Sequence, residues 1–386
     1  MDYFLSEEQI EIQNLAEKIT RERVRPVRAE LDEKEEFPRE IMNILADAGL
    51  FAIFLPEAYD GLGGGMLELS LATEELSRGC LAVSTSYAAS ALGAFPILLS
   101  GSEEQKKKYL PPIASGSTLA AFALTEAEAG SDAAGVKTTA VRDGDAYVLN
   151  GTKQWITNGG EAGIYTIIAI TDKRKGARGA SAFIVEQDTP GFTFGKKEKK
   201  MGIRASATRE LVFEDCRIPA ENLISREGFG FIITMKTLDK ARVGVGAQAV
   251  GLAQEALDLA VQYSRERIQF DRPISSIQVV QHMLADMAIG VEAARALVYA
   301  TSRYIDSGAR DFAKESAITK VFSSDLAMKV AVDALQIFGG YGYMRDYPIE
   351  KIMRDAKILQ IYEGTNQIQR NVIGLNLIKE SARKKK

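Results

Sequence analysis

From residue 1 to about 117, apolar positions recur at helical spacing. Ile10, Ile12, Leu15, Ala16 and Ile19 form one stripe, and Ile41, Ile44, Leu45 and Leu50 form another. Pro26, Pro38, the loop PEAYDGLGGG at 56–65 and the pair Pro111-Pro112 divide this region into three to five predicted helices. After residue 118 the texture changes to short β-branched and aromatic runs separated by turn residues, at 146–149, 154–157, 164–171, 181–185 and 210–213. Beyond Gly230 helical spacing returns in long segments near 231–265, 277–306, 312–338 and 348–380, which suggests an antiparallel bundle. The fold class expected is therefore α+β and multidomain. An N-terminal helical domain (1–117) precedes a central β-barrel-like domain (118–228) and a C-terminal four-helix bundle (229–386), and 386 residues are enough for more than one core.

Residues 80–102 carry no charge and reach the length of a membrane span. Ser84, Thr85, Ser86, Ser90, Gly93 and Pro96 suit a buried helix lining a cavity better than contact with lipid, so no membrane insertion is expected. The acidic start MDYFLSEEQIEIQ has the order of neither a secretory signal nor a transit peptide, and a cytoplasmic protein is expected. Forty-eight Lys and Arg against 52 Asp and Glu leave no broad cationic surface for nucleic acid. The basic runs KKEKK (196–200) and KKK (384–386) read as solvated faces. One histidine, His282, and two distant cysteines, Cys80 and Cys216, exclude Ser-His-Asp triads, HExxH sites, CxxC pairs and zinc fingers, so no metal site is expected. Any general base must be Asp, Glu, Lys or Tyr.

Two motif matches fail on context. Gly244-Val-Gly246-Ala-Gln-Ala249 fits a dinucleotide fingerprint but lies inside a helical pattern with no strand before it, and close helix packing explains it. In GSDAAGVKT (130–138), Val136 separates Gly135 from Lys137 and misplaces the ammonium of a phosphate loop.

Four segments combine glycine and polar side chains beyond the needs of packing. FALTEAEAGSD (122–132) offers Thr125 and Ser131 at the edge of the β domain, or is an irregular hairpin loop. KQWITNGG (153–160) holds the only tryptophan, which is either core or a flat face for a planar ligand with the Thr157 hydroxyl beside it. QIFGGYGY (336–343) ends a helix in more glycines than one C-cap uses, which permits close approach to the backbone. In QIYEGTNQIQR (360–370), Glu363 stands in an apolar stretch before Gly364. It is either a helix cap or a carboxylate whose pKa is raised into the range of a useful base.

The ordered set LTEAEAGSD, KQWITNGG, MGIRASATREL, LDKARVG, ERIQF, QIFGGYGY and QIYEGTNQIQR resembles the acyl-CoA dehydrogenases over essentially the whole chain. That resemblance implies a homotetrameric FAD enzyme with the flavin between the β domain and the bundle. Phe122, Leu124, Thr125, Gly130 and Ser131 would line the flavin, and Trp155, Ile156 and Thr157 would cover its ring, with Thr157 near N5. Arg267, Gln269, Phe270 and Gln278 would hold the FAD of a neighbouring subunit together with Gln336, Ile337, Phe338, Gly339 and Gly340, and Thr365 and Gln367 would complete the site. Ser131, Asp239, Lys240, Ala241 and Arg242 would contact CoA, with Glu363 as base and Gly364 beside the thioester. The implied reaction is α,β-dehydrogenation to the enoyl-CoA in fatty-acid β-oxidation. In it the hydride passes to flavin N5, the Glu363 N–H and a ribityl hydroxyl support the enolate, and an electron-transferring flavoprotein collects the electrons.

Two positions depart from the family pattern. Asp271 replaces a usual glycine, and Ala241 stands where some relatives carry their base. Dicarboxyl-CoA relatives use an arginine in the helix lining the acyl pocket. The uncharged stretch 80–102 therefore implies an uncharged acyl group, with Tyr87, Ala88, Ala89, Ser90, Ala91, Gly93 and Phe95 either shaping that pocket or packing the helix. The reverse enoyl-CoA reductase reaction, an oxidase and a catalytically silent flavin-binding scaffold are the competing readings.

Overall fold

The computed structural model describes residues 3–383, so the KKK tail lies outside the described residues. The first part of the chain forms six α-helices: α1 (Glu7–Ile19), α2 (Arg28–Lys34), α3 (Arg39–Asp47), α4 (Met66–Gly79), α5 (Leu81–Ser100) and α6 (Glu103–Ala114). Ser6 and Ser102 begin α1 and α6 with reciprocal capping boxes, each hydroxyl accepting from the N–H of a glutamine three residues on. Pro111 and Pro112 do not end a helix before themselves as expected. They lie inside the last turn of α6, where each lacks the N–H that would have donated to the carbonyl four residues back.

The uncharged stretch is α5, the one helix among the described residues long and apolar enough to cross a membrane, and 83% of that window is buried inside the protein. Gly93 is required there because a Cβ would lie 2.6 Å from the Ala121 main-chain nitrogen, so α5 presses directly on the first strand. Tyr87 is buried with its hydroxyl donating to the Leu50 carbonyl, Phe95 packs edge-on against Phe54, and the Ser90 hydroxyl accepts from the Ala120 N–H. Those three and Gly93 therefore hold the helix in place and do not shape a pocket.

The middle of the chain is an eight-stranded sheet made of β1 (Ala120–Ala123), β2 (Thr139–Asp143), β3 (Ala146–Thr157), β4 (Ile164–Ile170), β5 (Ala180–Glu186), β6 (Phe192–Lys197), β7 (Thr208–Pro219) and β8 (Leu223–Ile224). The path runs β6-β7-β3-β2-β4-β5-β8 and is open between β6 and β8. The two runs predicted at 146–149 and 154–157 are one strand, β3, which pairs antiparallel with β7 through two register shifts. β1 and β2 both pair parallel with β4 at successive positions. The 15 residues between them leave the sheet as a loop that carries Thr125, Gly130 and Ser131.

Helices resume with α7 (Gly230–Glu266), followed by a ribbon of β9 (Ile268–Gln269) and β10 (Arg272–Pro273), and then α8 (Gln278–Asp306) and α9 (Ala313–Phe338). Gly246 and Gly251 of α7 are packing glycines: a Cβ on the first would meet Thr319 and Val298 at 3.0 Å, and on the second the Glu74 carbonyl at 2.0 Å. The segment expected as one helix over 348–380 is instead α10 (Ile349–Ala356) and α11 (Asn366–Arg383), with a 3₁₀ turn and a loop between. The break is made by Glu363 and Gly364, whose φ angles of +52° and +94° no helix accepts. The run at 196–200 is also not a uniform solvated face. Lys196 and Lys199 are exposed, whereas Lys197 and Lys200 turn inward and donate to the carbonyls of Glu35 and Ser206.

Candidate active site

Between the sheet and the bundle lies a cavity of about 570 Å³. From the sheet side it is lined by Phe122 and Leu124, by Thr125, Gly130 and Ser131 of the loop after β1, and by Trp155, Ile156 and Thr157 at the end of β3. From the bundle side come Asp239 and Arg242 of α7, with Glu363 and Gly364 of the break before α11.

The loop after β1 is fixed by a buried ion pair. The Lys153 ammonium, with no solvent exposure, donates to a Glu126 carboxylate oxygen at 2.8 Å and to the Leu124 carbonyl at 2.9 Å. Glu126 also accepts from the N–H groups of Lys137 and Thr138 at 2.6 and 2.9 Å, so one carboxylate ties both ends of the loop to β3. Burial pulls Lys153 down to about 8, with Glu126 opposing the shift. Neither residue stands out in the sequence, because a lysine in a strand reads as solvent-facing.

Trp155 sits at the second register shift of β3 with φ of +58°, a left-handed conformation that a bulky residue adopts only under constraint. Its side chain is 56% exposed, towards the cavity. The only tryptophan is therefore not core. It supplies an aromatic face beside Thr157.

Glu363 is not the cap of α11. That role belongs to Thr365, whose hydroxyl accepts from the Ile368 N–H at 3.3 Å. The Glu363 Oε2 atom is shielded from solvent and has no hydrogen-bond partner. Burial pushes its pKa up to about 7, against the pull of Arg242 and Lys320. Arg242 is held by Asp239, and its Nε donates to the Glu363 carbonyl at 3.2 Å.

Four of the expected site residues near this cavity in sequence do not line it. One helical step turns Lys240 to lie 4.9 Å from the Phe95 ring centroid, and the next buries Ala241 in the core, so neither lines the cavity beside Asp239 and Arg242. Thr365 is occupied as a cap and Gln367 faces solvent, and neither lines the cavity.

A second, shallower hollow of about 530 Å³ gathers Arg267, Gln269, Ile337, Phe338, Gly339 and Gly340. It shares no lining residue with the first. Phe338 stacks on Tyr263 at 4.1 Å to form part of its wall, and the Arg267 guanidinium lies 5.2 Å from the Tyr341 ring centroid. Gly339 has φ of +59°, and a Cβ on either Gly339 or Gly340 would meet open space, so a ligand can lie against that backbone. Phe270, Gln278 and Gln336 are exposed nearby in sequence but outside the hollow. Phe270 and Asp271 form the two-residue turn of the ribbon, with φ of +52° and +60° as a type I′ turn requires. Asp271 thus keeps the turn that a glycine would favour.

The sequence reading placed the α5 segment at the acyl pocket but did not name Thr85, Leu92, Gln248 or Tyr362 among its lining. Thr85, Ala88, Ala89 and Leu92 line it from α5, and Ala88 and Ala89 are the two expected pocket residues found there. Gln248 and Tyr362 join them at this buried end, where Thr85 and Gln248 are 4% and 3% exposed, with the Tyr362 hydroxyl donating to Gln248 Oε1 and Gln248 Nε2 lying 3.5 Å from Thr85 Oγ1. The i, i+3, i+4, i+7 spacing of 85, 88, 89 and 92 is the signal that would have found this face.

A buried carboxyl group and an aromatic wall facing one cavity between sheet and bundle suit a general base beside a planar ligand. Residues 6–117, 121–216 and 228–378 match the N-terminal, middle and C-terminal domain models of acyl-CoA dehydrogenase, and the chain belongs to that family of flavoprotein oxidoreductases. It is 48% identical over 381 residues to the acryloyl-CoA reductase (NADH) of Anaerotignum propionicum, covering 98% of this chain and 96% of that one. Butyryl-CoA dehydrogenase of Megasphaera elsdenii superposes with a TM-score of 0.96 at 46% identity, over 98% of this chain and 100% of that one. A chain from the structure described as the electron transferring flavoprotein of Acidaminococcus fermentans gives a TM-score of 0.96 at 49% identity, covering 98% and 99%. An acyl-CoA dehydrogenase of Bacillus anthracis complexed with FAD gives 0.93 at 36% identity, covering 99% of this chain and 68% of that one.

FAD is the cofactor of the family and of this chain. The residues present fit it: Trp155 offers an aromatic face, Thr125, Ser131 and Thr157 offer hydroxyls, and the open backbone at Gly339 and Gly340 accepts close approach.

Proposed function

We propose that this acyl-CoA dehydrogenase removes the α-proton of a short, uncharged acyl-CoA thioester with Glu363 and passes electrons to an electron-transferring flavoprotein. The observation that carries the reading is the unpartnered, buried Oε2 of Glu363, in a cavity whose other wall is Trp155 and Thr157.

The α-proton of a thioester is a weak acid, so its removal needs a base that is strong near neutral pH and shielded from water. A pKa of about 7 gives Glu363 that strength. Its carboxylate would take the proton while its own main-chain N–H hydrogen-bonds the thioester oxygen and stabilises the developing enolate. Bound FAD supplies the acceptor for the hydride that leaves the β-carbon. Asp239 and Arg242 would hold the CoA chain towards the mouth of the cavity, and Trp155, Ile156 and Thr157 would hold the flavin ring.

The buried end decides the substrate class. It carries no charge, so nothing there would pair with a second carboxylate, and it ends in the Thr85, Gln248 and Tyr362 side chains. A long alkyl chain pushed against that floor would break polar contacts without replacing them, which favours short acyl groups.

The likeness to an acryloyl-CoA reductase supports a second reading, in which the same site runs in reverse. A group titrating near 7 donates a proton as readily as it accepts one. NADH would then act through a partner, because the GVGAQA run is packed inside α7 and offers no dinucleotide loop. Assembly as a homotetramer is proposed on the same footing: the hollow of Arg267 and Gly339 is separate from the first cavity, as a site completed by another subunit would be.

A panel of acyl-CoA thioesters assayed with an artificial electron acceptor tests the proposal. Butyryl-CoA should bleach the bound flavin and turn over faster than octanoyl-CoA. Failure of every straight-chain thioester to bleach it would overturn the reading.

A further inference from the structure

We propose that Lys320 is a positioning residue for this reaction, fixing the main chain beneath Glu363 and stationing a buried positive charge beside its carboxyl group. The inference rests on the reading of Glu363 as the base and adds a residue to it.

Lys320 lies on α9 with no solvent exposure. Its ammonium donates to the Gly364 carbonyl at 2.9 Å and to Asn366 Oδ1 at 2.7 Å, both neutral oxygens. A buried cation held by neutral acceptors is a poor stabiliser, and an apolar side chain would fill the same space at less cost. Its position is explained by what it holds.

Three helices converge on two successive carbonyls. From α7, Arg242 Nε donates to the Glu363 carbonyl at 3.2 Å. From α9, Lys320 donates to that of Gly364, and from α11, Gln369 Nε2 reaches both at 3.3 Å. Both residues are left-handed, and a Cβ on Gly364 would lie 2.4 Å from the Gln369 nitrogen, so the turn is clamped on the bundle side. With both carbonyls drawn into the bundle, the Glu363 side chain is left to the cavity.

The charges around the carboxyl group single out Lys320. On α7, Arg242 is paired with Asp239. On α9 and α11, Asp325 is paired with Arg370 and also accepts from Gln360 and Asn366. The neighbouring Tyr362 is bonded to Gln248, and the face of α5 is uncharged. Among the described residues Lys320 makes no ion pair, and it is buried beneath the turn, whereas Lys379, which lines the cavity, is exposed to solvent. Burial pulls it down to about 7 while Glu363 pulls it back up, and Lys320 in turn draws Glu363 down. Where Lys320 holds its proton, Arg242 and then Lys320 favour the Glu363 carboxylate, so removing the Lys320 cation leaves Glu363 protonated to higher pH.

The test uses the flavin-loaded Lys320→Met and Lys320→Gln proteins, with kcat and KM for a short acyl-CoA followed across neutral pH. In Lys320→Met, kcat should fall about tenfold or more with KM little changed, and the acid limb of kcat should move up by about one pH unit. Lys320→Gln keeps a donor for the Gly364 carbonyl and should recover part of kcat while retaining the shifted limb. Flavin content and Tm establish that each variant is folded. A folded, flavin-bound Lys320→Met with the original kcat and pH profile overturns the inference. If that variant does not fold, an unshifted limb in Lys320→Gln overturns it. The two readings fail separately: full activity in Glu363→Gln removes the base itself, whereas an inactive Glu363→Gln beside unaltered Lys320 variants removes only the role of Lys320.

Discussion

Glu363 and Trp155 line the same cavity, one from the bundle and one from the sheet, and each stands on a left-handed backbone, with φ of +52° and +58°. Neither residue type favours that conformation, and each costs on the order of 1 kcal/mol or more that the surrounding fold must offset. Strain at two facing positions is what a site shows when side-chain direction matters more than local stability.

The Glu363 carboxyl group should therefore be a stability liability. Its folded pKa is raised from 4.5 to about 7, so its contribution is fully present below about 4.5 and is lost as pH rises through 7. Glu363→Gln should raise stability at pH 8 by about 3 kcal/mol and at pH 5 by less than about 1 kcal/mol. Thermal unfolding at the two pH values checks this, and an equal change at both would contradict it.

At the buried end, Gln248→Leu should remove the polar floor and admit longer chains. The ratio of kcat/KM for octanoyl-CoA to that for butyryl-CoA should rise about tenfold or more, as one or two methylenes of accommodated chain would give. A ratio unchanged in a folded variant would place the limit on chain length elsewhere.

Breaking the buried pair beneath the flavin loop should be severe. Lys153→Met leaves Glu126 without its cation and should cost about 3–5 kcal/mol. It should also lower retained flavin, because the loop of Thr125 and Ser131 loses its tie to β3. Denaturant unfolding and flavin content after gel filtration measure the two effects, and full flavin retention would deny the loop its proposed role.

Arg267→Ala should loosen flavin and assembly together, since the second hollow is proposed to complete a neighbour's site. Gel filtration with flavin absorbance reads both at once. Loss of neither would argue against a shared site.

The α, β, α order was legible because hydrophobic periodicity changes sharply near residues 118 and 229, and the helical placement of the GVGAQA run followed from the absence of a strand before it, although of its two glycines only Gly246 is packed closely and a Cβ on Gly244 would meet nothing. The break before α11 was not, because apolar spacing runs on through Ile358, Ile361 and Ile368 while two left-handed residues interrupt the backbone. Within the site, glycine-rich and aromatic segments marked Trp155, Thr157 and Glu363. The partners that set them, Glu126 for Lys153 and Gly364 for Lys320, lie 27 and 44 residues away, and nothing local records such pairings. The resemblance carried over four successive helical residues, of which Lys240 and Ala241 do not line the cavity. A helix turns about 100° per residue, so only Asp239 and Arg242 share a side.

Anaerobic mixing of flavin-loaded Glu363→Gln with butyryl-CoA tests the central claim most directly. The variant should bind the thioester, seen as a perturbed flavin spectrum, yet bleach at least about a thousandfold more slowly than the native protein, since Gln cannot take the proton. Bleaching at the native rate would show that another group removes it.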